Sequence, residues 1–407
     1  MKKTKEKESD KMNKNGNIRI PLVIIIAIVV VIISIVAVIV IATMPKKVNV
    51  QNQIVENQIQ NENKIVEEQP TEEDYKKKYE ENIASVELPK VEVGTIATQN
   101  STVDGRVPSF YNPVIPKGFR AITSNEDSTI DANAIWGQLN SYLYGLVIED
   151  SNKNQFVWIP VENMDLFKTT DWQKNEAKNT IDSTYVEPNK TIQEDYYKMY
   201  YKVKKYGGFY VGRYETGDAD EQNTRTEVKN SDNIGIRKNL VVYNYVPFKL
   251  STINKREITG ANELAKKFAE NNSYENVTTT VIYGTQWDSM LRFIKSEKNN
   301  VNDSVTWGNY PVSVFNFKDI NGNEFTKNNT DVYLIRTGSS EQTKTKNIYD
   351  IAGNVAEWTM ETTKNNVNIA RGGAFNSTIA QLAAARYAYQ NNTASSNVGF
   401  RISMYVE

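Results

Sequence analysis

The residues best placed for chemistry lie in NIYDIAGNVAEWT, Asn347 to Thr359, where the carboxylates Asp350 and Glu357 bracket Gly353 and Asn354 and run into Trp358. A hard cation such as calcium takes about six to eight oxygens, and a tight turn supplies both carboxylate and carbonyl oxygens. The same residues also read as a plain turn leading into a buried tryptophan strand, because Gly and Asn suit turns on steric grounds. Spacing alone leaves both readings open. Other acids stand side by side, Asp218 with Asp220 and Glu149 with Asp150, and read as solvated loop charges rather than as an acid–base pair. The chain has no cysteine and no histidine. That inventory excludes a soft thiolate site, imidazole ligands and any Ser–His or Cys–His nucleophile, so no catalytic residue is assigned.

The elements that must position this stretch are short and mixed. FVWIP, Phe156 to Pro160, reads as an apolar strand closed by its proline, and FYVGRYE alternates like a strand. The tyrosines from Tyr196 to Tyr214 read as cross-strand packing in a sheet, with an aromatic platform for sugars or peptides as the alternative. Ala261, Leu264, Ala265, Phe268 and Ala269 recur at helical spacing and make one buried stripe. Thr285 followed by Asp288 predicts a capping box in front of Trp287, Leu291 and Ile294. Residues 298 to 346 are rich in Asn, Thr and Gly, with strands expected only at 312–317 and 332–335, and the alternation of Phe400, Ile402, Met404 and Val406 predicts a half-buried closing strand. Without alternating βαβ order, this is an α+β domain.

Several of these segments together resemble the formylglycine-generating enzyme, or sulfatase-modifying factor, family. NIYDIAGNVAEWT looks like its signature, and RGGAF (Arg371 to Phe375), AAAR (Ala383 to Arg386) and NVGFR (Asn397 to Arg401) follow in the family's order. ANELAKKFAENN and YGTQWDSMLRFI resemble two of its helices, and FVWIPV and FYVGRYETG its opening strands. The similarity spans roughly 145 to 407 and implies a C-type-lectin-like fold. It implies a structural calcium held by the side chains of Asp350 and Glu357 and the backbone carbonyls of Gly353 and Val355. The family's best-known member is an oxidase with a copper-binding cysteine pair, and related members use histidine-bound iron. Here Ser377 stands near the first cysteine position and nothing matches the second, so neither copper nor iron is expected. Arg371, Arg386 and Arg401 are expected to pair with buried acids and tie the last strands together.

The first part of the chain differs in kind. Ile20 to Ala42 is a nearly unbroken run of Ile, Val, Ala and Leu without a charge. At about 1.5 Å per residue, such a helix exceeds the roughly 30 Å hydrocarbon core of a bilayer. A transmembrane helix is expected over 20–43. The lysines of residues 1–19, set against the acidic stretch beyond the run, predict a cytoplasmic basic tip and an external C-terminal bulk. A cleaved leader is the alternative, but the run is long for one and no A-x-A site follows. Residues 44–107 read as a polar stalk and linker with a faint heptad at Val48, Val55, Ile59 and Val66, and the external domain spans 108–407.

Net charge is −1 and the pI about 6.0, so no basic field points to nucleic acid. The expectation is a membrane-anchored, cell-surface binding protein for a protein or glycan ligand, of bacterial type by composition. Its contact face is expected on the loops from Asn299 to Thr345 and on the Asn391 to Asn397 turn. An enzyme of altered chemistry, and a structural component that self-associates through the stalk, are the rival readings.

Overall fold

The computed structural model describes residues 70–81, 109–138, 140–172, 176–177, 185–295, 300–377 and 382–407. The transmembrane helix expected at 20–43, the basic tip and most of the stalk lie outside the described residues. Among those described, no helix is long and apolar enough to cross a membrane.

In chain order the helices used below are α1 (Glu72–Lys76), α2 (Gln193–Tyr206), α3 (Ala261–Asn271) and α4 (Gly284–Lys295). The strands are β1 (Phe119–Ile122), β2 (Val147–Asp150), β3 (Gln155–Pro160), β4 (Gly208–Gly212), β5 (Val277–Val281), β6 (Phe315–Lys318), β7 (Glu324–Lys327), β8 (Ala356–Thr363), β9 (Asn368–Arg371), β10 (Arg386–Tyr389), β11 (Val398–Phe400) and β12 (Ile402–Val406). This is a mixed fold of mostly sheet and few helices, as the α+β expectation required.

One antiparallel sheet runs β1-β2-β3-β4-β12-β5. A second runs β10-β9-β8-β11, in which β11 lies parallel to β8 so that Glu357 faces Gly399. β11 and β12 are nearly continuous in sequence yet belong to different sheets, so the chain between Phe400 and Ile402 couples the two. The closing strand is buried along its whole length, not half-buried. It lies between β4 and β5 inside the sheet and is covered on both faces, which alternation with Arg401, Ser403 and Tyr405 does not reveal.

The tyrosine run is a correction of another kind. Tyr196 to Tyr206 is helix α2, not strand, and its rings turn inward: Tyr196, Tyr197, Tyr201 and Tyr206 are all buried. Tyr197 stacks on Tyr75 of α1 at 4.9 Å, and Lys78 and Tyr79 bond Glu194. The compact unit thus runs from Pro70 to Glu407, and α1, inside the stretch expected as stalk, packs on the globular part. The platform for sugars is filled from within.

α3 buries the predicted stripe, Ala261, Leu264, Ala265, Phe268 and Ala269. α4 starts as expected but is capped differently. Glu187, distant in sequence, accepts from the Gly284 and Thr285 amides at 2.7 and 2.5 Å and from the Thr285 hydroxyl at 2.5 Å. A carboxyl group there satisfies orphan N–H groups of the first turn. Asp288 is released from the predicted capping box and turns into the core. The strand expected at 332–335 does not form, and the one expected at 312–317 is shifted to β6, which pairs only with β7.

Candidate functional site

The Asp350 to Glu357 stretch folds as a buried turn rather than a surface loop. Asp350, Gly353 and Asn354 all take positive φ, at 59°, 76° and 58°. A Cβ on Gly353 would meet the Asn309 carbonyl oxygen at 2.1 Å, so only glycine fits. Two non-glycine residues in the left-handed region store strain that the surrounding packing must hold. Asn354 does much of this holding. Its amide donates to Glu215 at 2.6 Å and to the Ile335 carbonyl at 3.2 Å, and its oxygen accepts from Asn309 at 3.0 Å and from the Ile335 amide at 3.1 Å.

Glu215 was not singled out in the sequence. It lies in the quoted segment FYVGRYETG, two residues after Arg213, and is completely buried, accepting also from the Val355 amide at 3.2 Å. A carboxylate three residues beyond a strand of glycine, apolar and aromatic residues was the available signal. Asp350 accepts from the Gly338 amide at 2.8 Å and from the Thr343 hydroxyl at 2.6 Å. Glu357 is held by Arg401 through contacts at 2.6 to 3.1 Å, and Arg401 also donates to the Gly212 and Tyr349 carbonyls.

Three buried carboxylates therefore share one guanidinium. Burial raises all three, and neighbouring acids add to the rise of Glu215 and Glu357. Glu215 is pushed well above the carboxylate range by burial and by the charges of Asp350 and Glu357. Asp350 is raised by burial, and Glu357 is raised to about 7 by burial despite the opposing pull of Arg401. Buried acids in excess of their cations must take up protons or a further cation.

The donor set, all oxygen and net negative, fits a hard cation. Among the described residues no three acidic, histidine or cysteine side chains are grouped as a metal site, so backbone carbonyls such as those of Gly353 and Val355 would have to complete the shell. Both oxygens of Asp350 and of Glu357 already have protein donors, so a cation there competes with Arg401 for Glu357.

A second buried network contrasts with the first. Asp288 and Glu361 face Arg371 and Arg386 in a closed square, with N–O distances of 2.6 to 3.1 Å. Asp288 also accepts from the Thr170 amide and the Trp172 indole, and the guanidinium of Arg371 lies 5.7 Å from the Trp287 ring. The two arginines pull Asp288 below the carboxylate range against its burial. The expected pairing of Arg371, Arg386 and Arg401 with buried acids is what the structure has. Asp218 likewise is not a free loop charge but a buried partner of Arg225 and Ser231. Asp150 accepts from Asn154 and Tyr274, and Glu149 from Gln155, Arg120 and Lys153. Ser377 closes a tight turn, accepting from the Ala374 amide at 3.0 Å.

Outside these networks, the large exposed hydrophobic residues are unevenly spread. Val312, Val314, Ile320, Phe325, Val332 and Tyr333, each between 44% and 58% exposed, all fall between residues 312 and 333. Phe317 joins them, stacked on Phe325 at 5.6 Å and set 6.2 Å from Tyr333. The segment after β7 that carries Tyr333 is tied to the turn, since Asn309 donates to the Tyr333 carbonyl at 2.9 Å and Asn354 bonds both backbone groups of Ile335.

Residues 269–405 match the sulfatase-modifying factor enzyme 1-like domain. That segment of the chain is therefore similar to the domain of the formylglycine-generating enzyme and sulfatase-modifying factor family, and it holds both ion networks apart from Glu215. Among solved structures, CarF matches at 16% identity with a TM-score of 0.21, over 32% of this chain and 48% of CarF, about half its length. The variable protein 1 of Treponema denticola matches at 13% identity with a TM-score of 0.24, over 48% of this chain and 84% of that protein. No curated protein matches.

Proposed function

We propose that this is a membrane-anchored extracellular recognition protein, whose formylglycine-generating-enzyme-like domain has a C-type-lectin-like fold and displays a contact face on the loops from Asn299 to Thr345. The single observation that carries the reading is the exposed apolar face of residues 312–333. Patches of this kind on an otherwise polar surface mark interaction sites. The chain's lack of cysteine and histidine supports a binding role over the family's redox chemistry. The apolar run at 20–43 and its charge flanks support a single-pass anchor with an external C-terminal domain, and the ligand is a protein or glycan rather than nucleic acid. The Asn391 to Asn397 turn lies at the rim of this reading, and self-association through the stalk is a further part of it.

Calcium held by Asp350 and Glu357 with the Gly353 and Val355 carbonyls belongs to the same reading. It would neutralise the acid-rich turn and, through Asn309 and Asn354, brace the backbone beneath Tyr333 and Ile335.

The test is capture of glycans and surface proteins by the full chain. Replacing Val314, Phe325 and Tyr333 by Ser should abolish capture while shifting stability by no more than about 0.5 kcal/mol, as exposed sites do. Undiminished capture refutes the contact face. Turnover of a sulfatase-type peptide by the purified chain would move the enzyme reading to first place.

A further inference from the structure

A polar cavity of about 540 Å³, a volume within the range of small-ligand sites, is lined by residues that belong to neither ion network. Its walls come from the β2–β3 turn, from residues 232–237 and from the C-terminal end of α3. The amide walls are firmly held. Asn154 accepts from the Ile236 amide at 2.9 Å and donates to Asp150 at 2.8 Å, and Asn272 accepts from Asn152 at 3.1 Å while donating to the Phe268 carbonyl at 2.9 Å.

Two charges on its wall are left over. Arg237 donates from the guanidinium to the Asn152 carbonyl at 3.2 Å, and its covered Nε finds no acceptor. Asp232 is exposed and, among the described residues, forms no hydrogen bond or ion pair. The two do not pair with each other. The last turn of α3 adds the negative end of a helix dipole on the side of Asn271 and Asn272.

We infer that this cavity binds a small zwitterion of the amino-acid or dipeptide class, its carboxylate on Arg237 and its ammonium between Asp232 and the C-terminal end of α3. Arginine recognises carboxylates through a planar fork of N–H groups, and an ammonium prefers a carboxylate together with helix C-terminal carbonyls. The amide of Asn271 is left to bond the groups between. A neutral polyol would leave both charges uncompensated, and a simple anion would leave Asp232 unopposed.

The experiment is calorimetry and thermal melting of the full chain against the common L-amino acids and glycylglycine, with N-acetylglycine, glycinamide and glucose as blocked or neutral controls. At least one zwitterion should bind and raise the melting temperature, and each control should bind at least about tenfold more weakly, the scale of one lost charge-assisted hydrogen bond. Arg237→Gln and Asp232→Asn should each weaken the zwitterion by about tenfold or more on the same scale. Asn271→Trp, a change at an exposed position on the cavity wall, should block it without touching either charge and keeps the test decisive if Arg237→Gln fails to fold. No response to any zwitterion, equal binding of glucose or N-acetylglycine, or binding unaffected by all three variants overturns the inference.

Discussion

The two buried ion networks use the same residue types to opposite ends. In one, Asp288 and Glu361 meet Arg371 and Arg386, acid for base, and every oxygen has a guanidinium or N–H partner. In the other, Glu215, Asp350 and Glu357 gather around Arg401, with Lys238 adding a weaker pull on Asp350. The balanced square pins α4 to β8, β9 and β10, whereas the acid-rich cluster sits at a strained turn with positive φ at Asp350 and Asn354. Charge balance marks a fastener. An unpaid acid at a strained turn marks a place where something else can bind.

The sharpest way to break this comparison is to remove one cation from the balanced square. Arg371→Met leaves Asp288 and Glu361 sharing Arg386 and should cost about 3–5 kcal/mol, the cost of a buried charge stripped of its partner. Chemical denaturation measures it, and a loss below about 1 kcal/mol, the level of an exposed pair, would make the square no fastener at all.

Calcium tests the other side. Held at about a hundred times its dissociation constant, the ion should stabilise the wild type by about 2.7 kcal/mol. Glu357→Gln should weaken that response, whereas Arg371→Met should leave its size intact. A wild-type midpoint that ignores calcium removes the cation from the acid-rich turn.

A pH effect comes next. Burial and the nearby charge of Glu361 push Glu187 up to about 8, with Tyr196 the other titratable group at the α4 start. The folded state then holds a proton that the unfolded state releases near its ordinary value of 4.5. This contribution to stability is complete below about pH 4.5 and is lost as pH rises through about 8, with a slope of up to about 1.4 kcal/mol per pH unit. Glu187→Gln should flatten the slope between those limits. A stability that rises over that window would mean that Glu187 is ionised, held so by its three donors at the helix start.

The smallest effect concerns the stalk end. Tyr75→Ala removes the stack on Tyr197 and should cost about 1 kcal/mol, the worth of an aromatic pair, while exposing residues 70–81 to proteolysis. Unchanged cleavage would show that this helix is not held by that stack.

Much of this was legible in one dimension. The buried stripe of α3, the FVWIP strand, the turn at Gly353 and Asn354 and the family motifs all follow from local patterns, since each depends on neighbours a few residues away. The helix over the tyrosines was missed because aromatic content favours strands, and tertiary packing against Tyr75, Tyr283 and Phe167 overrode that preference. Thr285 three residues before Asp288 predicts a cap that Asp288 does not form. The actual cap is Glu187, ninety-seven positions from Gly284.

By itself, then, the sequence determined the inventory and the local geometry: no cysteine, no histidine, a glycine where only a glycine fits, and the acids and arginines that would have to be buried. Which acid meets which arginine was decided only in three dimensions. Glu215 reaches the turn across 140 residues to the Val355 amide, and Arg371 reaches Asp288 across 83. The pairing of charges depends on distance in space and on exclusion of water, and neither is written in the spacing of residues along a chain.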